Sequence, residues 1–335
     1  MKQTPDFHGK TILISRTDSI GDVVLTLPIC SWIKKQFPES RILFLCRSYT
    51  KAVVSCYLPI DEIICWDDLI NQSEQERIRQ IKSQDIFCCI HVFPNKDIAR
   101  LMHRAKVPHR IGTSHRSFHL LTCNHRVSFT RKRSELHESA LSFNLCKPLG
   151  LEELPSLKEI SQWTSTHFQT PDIELPPDLQ SLSNFVVLHP KSQGSALEWP
   201  LENYIQLSRE LISKGYTAVF TGTEKEGLLF RDQLPHEEKC LDLSGRLSLE
   251  QLIVLISQAK ALVACSTGPY HLAGVTGIRA IGLFSSRRPI HPGRWKALGL
   301  KATFLVNDPE CPTCKKGEKC HCIEKISVDQ VLKSV

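Results

Sequence analysis

The sequence predicts an α/β fold of two Rossmann-like, doubly wound domains with a cleft between them. Its 335 residues exceed the size at which a single hydrophobic core usually stops growing. Short apolar runs alternate with amphipathic segments in both halves, which is the pattern of βαβ units and a parallel sheet. Prolines gather near the middle of the chain, where this alternation stops. We expect a first domain over residues 1–160, a linker over 161–182 and a second domain over 183–335, with the option that the last helix packs back on the first domain.

The first half carries the strands and helices of one such domain. Thr11–Ser15 and Arg41–Cys46 are short apolar runs typical of buried parallel strands, and residues 86–92 form a third. Residues 23–37 and 67–82 have the apolar spacing of helices. The second half repeats the pattern, with strands expected over residues 185–190, 218–222, 261–265 and 280–284.

Composition and cysteine usage point to a cytoplasmic globular protein. Apolar residues make up 41% and charged residues 23%, which excludes a disordered chain. No apolar run approaches the roughly 18 residues of a membrane span, and residues 1–10 lack the pattern of a signal peptide. The 14 cysteines are spread along the chain, many within apolar runs, so we expect reduced core thiols.

The positive charge is concentrated in one segment. Residues 96–133 contain ten lysines and arginines against one acid, Asp97. Such a segment is expected to face a phosphorylated substrate, an anionic membrane surface or nucleic acid, the alternative being a solvated basic face. Nucleic acid is disfavoured because only Phe118 and Phe129 offer stacking rings and no nucleic-acid module is recognisable.

Ligands of open α/β sheets bind beyond the carboxyl ends of the strands, and three loops there stand out. In the first, Gly21 permits close backbone approach, and Asp22 is either a helix cap or a carboxylate pointing into the cleft. In the second, over residues 189–200, Lys191 either binds an anion or is a surface lysine. Trp199 in that loop is expected to be a packing anchor, and Pro200 to open a helix.

The third loop follows the apolar run Ala261–Cys265 and contains Gly268. Free backbone N–H groups at a helix start, together with the helix dipole, make residues 266–271 a candidate phosphate site. Neither the dinucleotide fingerprint G-x-G-x-x-G after a strand nor the P-loop G-x-x-x-x-G-K-[ST] is present. Dehydrogenase and P-loop functions are therefore disfavoured.

Together these segments resemble the heptosyltransferase family of glycosyltransferases, family nine, over nearly the whole chain. The segments that carry the resemblance are residues 16–28, His109-Arg110-Ile111-Gly112, His137-Glu138, Leu149-Gly150-Leu151, Glu198-Trp199-Pro200, and residues 244–252 and 266–273. The resemblance implies a GT-B-type fold and inverting, metal-independent transfer without a cofactor. It also implies ADP-heptose as donor and the lipopolysaccharide inner core as acceptor, with peripheral contact to the inner face of the cytoplasmic membrane as an option.

The resemblance further implies roles for individual residues. Asp22 would be the general base that takes the proton of the acceptor hydroxyl. The other implied contacts are to the acceptor by Gly21, Arg110 and Arg116, to the donor diphosphate by Lys191, Ser266, Thr267, Gly268 and His271, and to the nucleotide by Thr221, Gly222 and Glu224.

Two positions depart from the family pattern. Leu197 and Ser266 stand where ADP-heptose-using members commonly carry a lysine and an aspartate. Lys191, or Arg287 and Arg288, would then supply the missing cation. These departures keep two alternatives open: transfer of another sugar in envelope or glycoprotein glycosylation, and a non-catalytic binding relative.

A cysteine cluster near the end of the chain raises the question of a metal. Cys311 and Cys314 form a Cys-x-x-Cys half-site, and Cys320 and Cys322 follow. The single residue between the second pair is tighter than usual zinc spacing. The sequence therefore favours packed thiols, with structural zinc as the alternative.

Overall fold

The computed structural model describes residues 5–131, 134–318 and 320–335, so Lys132 and Arg133 of the basic segment lie outside the described residues. The chain divides into two compact units, Met1–Gln169 and Thr170–Val335. Each unit is built around one six-stranded sheet in which every pair of neighbouring strands is parallel.

The sheet of the first unit has the strand order β3-β2-β1-β4-β5-β6. Its apolar runs are buried almost throughout, as expected for strands covered on both faces. The strands are β1 Thr11–Ser15, β2 Arg41–Cys46, β3 Glu62–Cys65, β4 Ile86–His91, β5 His109–Thr113 and β6 His125–Val127. The helices are α1 Ile20–Thr26, α2 Pro28–Gln36, α3 Lys51–Ser55, α4 Trp66–Ile70, α5 Glu74–Ser83, α6 Lys96–Arg104, α7 Ser117–Thr122, α8 Glu138–Ser142 and α9 Leu157–His167.

The second unit repeats the topology, with the order β12-β11-β10-β7-β8-β9. Its strands are β7 Phe185–His189, β8 Thr217–Phe220, β9 Cys240–Asp242, β10 Ala261–Cys265, β11 Arg279–Phe284 and β12 Ala302–Val306. Its helices are α10 Leu201–Ser213, α11 Glu224–Gly227, α12 Leu249–Gln258, α13 Gly268–Val275, α14 Pro292–Trp295, α15 Pro312–Lys315 and α16 Val328–Leu332.

Both sheets are doubly wound, and this confirms the predicted fold class. In each, the strand order reverses beside the first strand, between β1 and β4 and between β7 and β10. Open α/β sheets bind ligands at this switch point, beyond the carboxyl ends of the strands. The loops after β1, β7 and β10, which the sequence singled out, all begin there.

Local signals other than apolar spacing set several helix boundaries. The predicted helix over residues 23–37 is broken by Pro28, which opens α2 because it lacks an N–H and cannot continue α1. The predicted helix over 67–82 is two helices, and a capping box of Ser73 and Glu76 starts the second one. Pro200 is the N-cap of α10 rather than its first residue.

The boundary between the units differs from the predicted one. Residues 161–167, placed in the linker by the sequence, belong to α9, which starts at a capping box of Ser156 and Glu159 and packs on α2. The division falls after Gln169. The last helix, α16, packs against α10 of its own unit, where Val328 and Val331 join the apolar core.

Candidate functional site

Asp22 lies in the first turn of α1, just beyond the carboxyl end of β1. Its carboxylate accepts hydrogen bonds from Arg16 Nη2 and from Ser19 Oγ, the latter at 2.5 Å. Ser19 is the N-cap residue, and its side chain caps no backbone N–H. The Asp22 side chain keeps 19% of its surface exposed. The carboxylate is thus held by side chains with one face open to solvent, which favours a functional acid over a helix cap.

Arg16 organises three acids around itself. Its side chain is 3% exposed and contacts Asp18 Oδ1 at 2.6 Å, the Asp22 carboxylate, and Glu138 Oε1 at 3.9 Å. Burial acts to lower the pKa of Arg16, but the Coulombic attraction of the three acids outweighs it and raises that pKa. Arg16 therefore remains a fixed cation that orients Asp22.

This arrangement changes the pKa of Asp18. Burial raises its pKa from 3.8 to about 6, against the lowering effect of Arg16, and the negative charge of Asp22 adds to the rise. Asp18 and Arg16 are not among the site residues that the sequence predicts. Nothing in their spacing shows that burial would unite them with an acid more than a hundred residues away.

Glu138 completes the cluster from the first turn of α8. Its side chain is 2% exposed, and Oε1 also accepts from Arg131 Nε at 2.8 Å. Arg131 Nη2 donates to the backbone oxygen of Val92, which directly follows β4. Arg16 and Glu138 thus join the loops after β1 and β4 at the switch point of the first sheet.

The three residues predicted to contact the sugar acceptor lie in different environments. Gly21 is buried in α1 beside Asp22. Arg116 is exposed just beyond the carboxyl end of β5, the edge where ligands bind. Arg110 lies near the start of β5, and its guanidinium donates to the backbone oxygens of Val107 and Thr122. These hydrogen bonds tie neighbouring loops together, and contact of Arg110 and Arg116 with the acceptor stays a prediction.

In the second unit, a pocket of about 280 Å³ opens beyond the carboxyl ends of β7, β10 and β11. Drug-sized ligands occupy pockets of about 300–1,000 Å³, so this one fits part of a nucleotide-sugar rather than the whole. The residues that matter for its chemistry are Gly194, Leu197, Ser266, Ser285, Arg287 and Arg288. The two arginines make it a cationic pocket.

The loop over residues 266–271 enters this pocket through Ser266 and then starts α13. Thr267 is the N-cap, and its buried hydroxyl has no hydrogen-bond partner within the described ranges. The N–H groups of Gly268 and Tyr270 lie in the first helical turn, where no preceding helical carbonyl reaches them. His271 N–H already donates to Thr267 O at 3.4 Å. Contact of His271 with the diphosphate stays a prediction, and the amides of Gly268 and Tyr270 are the ones that the helix itself does not use.

Lys191 is engaged inside its own loop. Its Nζ pairs with Glu198 Oε2 at 3.1 Å, and Glu198 Oε1 accepts from both the N–H and the hydroxyl of Ser192. Lys191 does not line the pocket, whereas Arg287 and Arg288 do. Trp199 is 1% exposed and donates from Nε1 to Ile326 O at 2.9 Å, which confirms it as a packing anchor.

The predicted nucleotide contacts surround the carboxyl end of β8. Thr221 is buried, and its Oγ1 lies 3.0 Å from His189 Nδ1. A methyl group on Gly222 would lie 3.2 Å from the Glu226 Cβ, so the backbone packs closely on α11. Glu224 Oε1 and Oε2 accept from Arg231 at 3.0 and 3.1 Å, and these hydrogen bonds lower its pKa. Contact of Thr221, Gly222 and Glu224 with a nucleotide stays a prediction.

The four tail cysteines converge. The Sγ atoms of Cys311, Cys314, Cys320 and Cys322 all lie within 4.8 Å of one another.

No helix in the described ranges combines the length and the apolar character that a membrane crossing requires.

The sequence model of glycosyltransferase family 9 (heptosyltransferase) matches residues 72–324. This chain belongs to glycosyltransferase family 9. It is 24% identical to a putative glycosyltransferase of Haemophilus influenzae, over 97% of this chain and 95% of that protein. It is 23% identical to lipopolysaccharide heptosyltransferase 2 of Salmonella typhimurium, over 83% of each.

The fold agrees with the family. The ADP-heptose lipopolysaccharide heptosyltransferase II of Escherichia coli superposes with a TM-score of 0.72 at 19% identity, over 97% of both chains. The predictions of an enzyme of this family and of two Rossmann-like domains of GT-B type are confirmed.

Proposed function

We propose that this family 9 glycosyltransferase transfers a heptose from ADP-heptose to the inner core of lipopolysaccharide, with inversion at the anomeric carbon. The observation that carries the proposal is the cationic pocket beyond β7, β10 and β11, with Arg287 and Arg288 beside the start of α13. Negative charge develops on the departing diphosphate during transfer, and preorganised donors and cations stabilise that charge. The relatives named above as heptosyltransferases support the choice of sugar.

The donor diphosphate in this proposal is held by Ser266, the Thr267 hydroxyl, and the amides of Gly268 and Tyr270. Arg287 and Arg288 supply the cation that relatives carry at the position of Leu197. Lys191 contributes less to diphosphate binding in this proposal, because its ammonium is paired with Glu198. The imidazole of His271 is 2% exposed in α13 and serves chiefly to support the loop. Thr221, Gly222 and Glu224 remain our candidates for the nucleotide.

Asp22 acts as the general base in this proposal. An alcohol becomes a sufficient nucleophile only if its proton is removed as the new bond forms, and a carboxylate within hydrogen-bond reach does this. Arg16 and Ser19 fix the carboxylate so that its exposed face meets the acceptor. The reaction needs neither a metal nor an organic cofactor, because the nucleotide diphosphate leaves as an anion stabilised by protein groups.

The acceptor is lipid-linked in this proposal, and the surface around α7 supports contact with an anionic membrane. Leu120 and Leu121 are 55% and 82% exposed there, with Arg116 and Arg126 exposed on either side in sequence. Exposed leucines flanked by arginines suit the interface of an anionic bilayer, where apolar burial and charge attraction add. We place the enzyme on the cytoplasmic face of the membrane, without a role for nucleic acid.

A panel of nucleotide-sugars tests the donor. Thermal unfolding is followed with ADP-heptose, other ADP-sugars, and UDP- and GDP-sugars, and transfer to a heptose-deficient lipopolysaccharide is measured by mass spectrometry. Stabilisation and transfer with ADP-heptose alone are expected. Transfer from another nucleotide-sugar in its place would replace the heptose assignment.

The second candidate is transfer of a different sugar in envelope or glycoprotein assembly. It is favoured by Leu197 and Ser266, which line the pocket where ADP-heptose-using relatives carry a charge. The same donor panel separates the two candidates, because only the identity of the sugar and nucleotide changes between them.

A further inference from the structure

The four tail cysteines form a small core of their own. Cys311, Cys314 and Cys322 are buried and pack together with Cys320, separately from the larger apolar cluster of the second unit. All four are free thiols. Packing of four cysteines alone buries too little apolar surface to order the segment 311–322. Segments with such cysteine clusters are commonly held by a metal.

The sulfur–sulfur distances in the cluster are closer to those around a tetrahedral ion than to a disulfide bond. Cys320 Sγ lies 3.6 Å from Cys311 Sγ, and Cys322 Sγ lies 3.1 Å from both Cys311 Sγ and Cys320 Sγ. Metal–sulfur bonds of about 2.3 Å in a tetrahedron put sulfurs about 3.8 Å apart, whereas a disulfide requires about 2.05 Å. The separations of 3.1 and 3.6 Å lie below the tetrahedral value but well above a disulfide bond, so the thiols are gathered closely enough to converge on one ion and are not covalently paired.

The backbone explains how residues so close in sequence reach one centre. Cys311 precedes the short helix α15, and Lys315 N–H donates to Cys311 O at 3.0 Å. The turn closes at Gly317, which has a φ of +78° that favours glycine. Cys322 has helical φ and ψ of −60° and −37°, so the chain bends there and its thiol meets that of Cys320. The tight Cys320-x-Cys322 spacing is thus compatible with a shared ligand sphere.

We propose that Cys311, Cys314, Cys320 and Cys322 bind one structural transition-metal ion, zinc or iron, as four thiolates. Four sulfur ligands are typical of these two metals, and full protein ligation leaves no position for a substrate. The thiols release their protons as the ion binds. This reverses the preference that the sequence gave to packed thiols.

The site also steadies the donor pocket. The backbone oxygen of Asp308 accepts from the Cys311 N–H at 3.4 Å and from the hydroxyl of Ser286. Ser286 directly precedes Arg287, which lines the pocket. The bound ion thereby fixes a segment whose backbone holds the loop of the two arginines.

Elemental analysis of the full-length protein purified under reducing conditions tests the proposal. We expect about one equivalent of zinc plus iron per chain, and visible absorption tells iron from the colourless zinc site. Cys320→Ser and Cys314→Ser are expected to lose most of the metal. Cys240→Ser, which changes a partly buried cysteine of the same unit outside the cluster, is expected to keep it.

A second set of measurements uses the wild-type protein, so it does not depend on whether the cysteine variants fold. A strong chelator is expected to lower the unfolding temperature of the wild-type protein, and added Zn²⁺ or Fe²⁺ to restore it. Cobalt(II) added to the metal-free protein is expected to give the absorption of tetrahedral thiolate ligation. Wild-type protein that holds less than about a fifth of an equivalent after reconstitution with either ion overturns the proposal, as does full metal in Cys320→Ser.

Discussion

At the scale of single residues, the chemistry of the first unit rests on one buried arginine among three acids. Arg16 is held in place by Asp18, Asp22 and Glu138, and only Asp22 combines solvent exposure with a place at the start of α1. Three acids face this one arginine, so neutralising one acid leaves two to compensate the cation, whereas losing the 3% exposed arginine would leave the acids without it. Stability as well as activity must therefore be measured for variants of these acids.

Asp22→Asn is expected to lower kcat by about 10²–10⁴-fold, because the amide keeps the shape of the carboxylate and cannot accept the hydroxyl proton. Initial rates of sugar transfer at saturating donor measure the effect, with unfolding temperature measured in parallel. Asp68→Asn changes an exposed acid in the first turn of α4 and is expected to leave the rate unchanged. Near-normal turnover of the folded Asp22→Asn protein contradicts the role of base.

Asp18 makes stability depend on pH. Its pKa is raised in the folded protein, so between pH 3.8 and about 6 the folded state binds more protons than the unfolded state, and stability falls as pH rises. Asp18→Asn mimics the protonated acid. We expect it to raise the unfolding temperature relative to wild type at pH 8, with a gain that shrinks as the pH falls through about 6 towards 4.

Unfolding temperatures of wild type, Asp18→Asn and the control Asp68→Asn are measured at pH 8, 6 and 4.5. A difference between Asp18→Asn and wild type that is constant over this range shows that the pKa of Asp18 is not raised. A gain shared by Asp68→Asn reflects net charge instead.

At the scale of elements, the sites are built where loops leave the carboxyl ends of strands. Three such loops of the second unit, after β7, β10 and β11, line one pocket because β10 lies between the other two strands in the sheet. The loop after β5 leads into α7 with its exposed leucines. The role of each loop can be tested by substituting its residues and measuring binding of the ligand proposed for it.

Arg287→Ala and Arg288→Ala are each expected to raise KM for the donor by about tenfold or more, since a charge-assisted hydrogen bond is worth about 1.5–3 kcal/mol. Titration of ADP by calorimetry at two salt concentrations gives the affinity and its electrostatic part. Arg209→Ala removes an exposed arginine of α10 outside the pocket and serves as control. Unchanged ADP affinity in both variants excludes these arginines as the diphosphate cations.

The exposed leucines of α7 are expected to insert into the interface of an anionic membrane. Leu120→Ser combined with Leu121→Ser should lower affinity for phosphatidylglycerol-containing vesicles by at least about tenfold, because burying one leucine contributes about 1.5–3 kcal/mol. Leu228 and Leu229 are also exposed, at 68% and 61%, and the same double change there is the matched control. Equal loss in both proteins, or no vesicle binding by wild type, contradicts an α7 membrane surface.

At the scale of the whole molecule, two units of the same topology have different site chemistry. The first unit presents carboxylates held by Arg16 and Arg131, whereas the second presents arginines and free amides. An anionic diphosphate is attracted by the second set and repelled by the acids of the first. The donor should therefore be recognised by the second unit alone.

Hydrogen exchange of the full chain with and without ADP tests this division. Protection is expected in residues 266–271 and 285–290, with residues 16–22 unchanged until an acceptor is added. Protection by ADP of residues 16–22 in place of the pocket loops would assign nucleotide binding to the first unit.

The sequence by itself determined the fold class and pointed to the loops that form the candidate site. Buried parallel strands are continuous apolar runs, and ligand loops follow their ends, so Asp22 and residues 266–271 could be found from local pattern. Helix starts are also encoded locally, in capping boxes such as that of Ser73 and Glu76.

The tertiary structure alone decided which of these residues meet. Arg110 and Arg116 look equivalent in sequence, yet the Arg110 guanidinium donates to backbone oxygens whereas Arg116 is exposed beyond β5. Glu138 joins Arg16 only because α8 returns to the end of β1, and Arg287 joins Ser266 only because β10 and β11 are adjacent. Charge pairing and metal ligation depend on distances of a few ångströms, and chain topology sets those distances across stretches of sequence that carry no local signal of them.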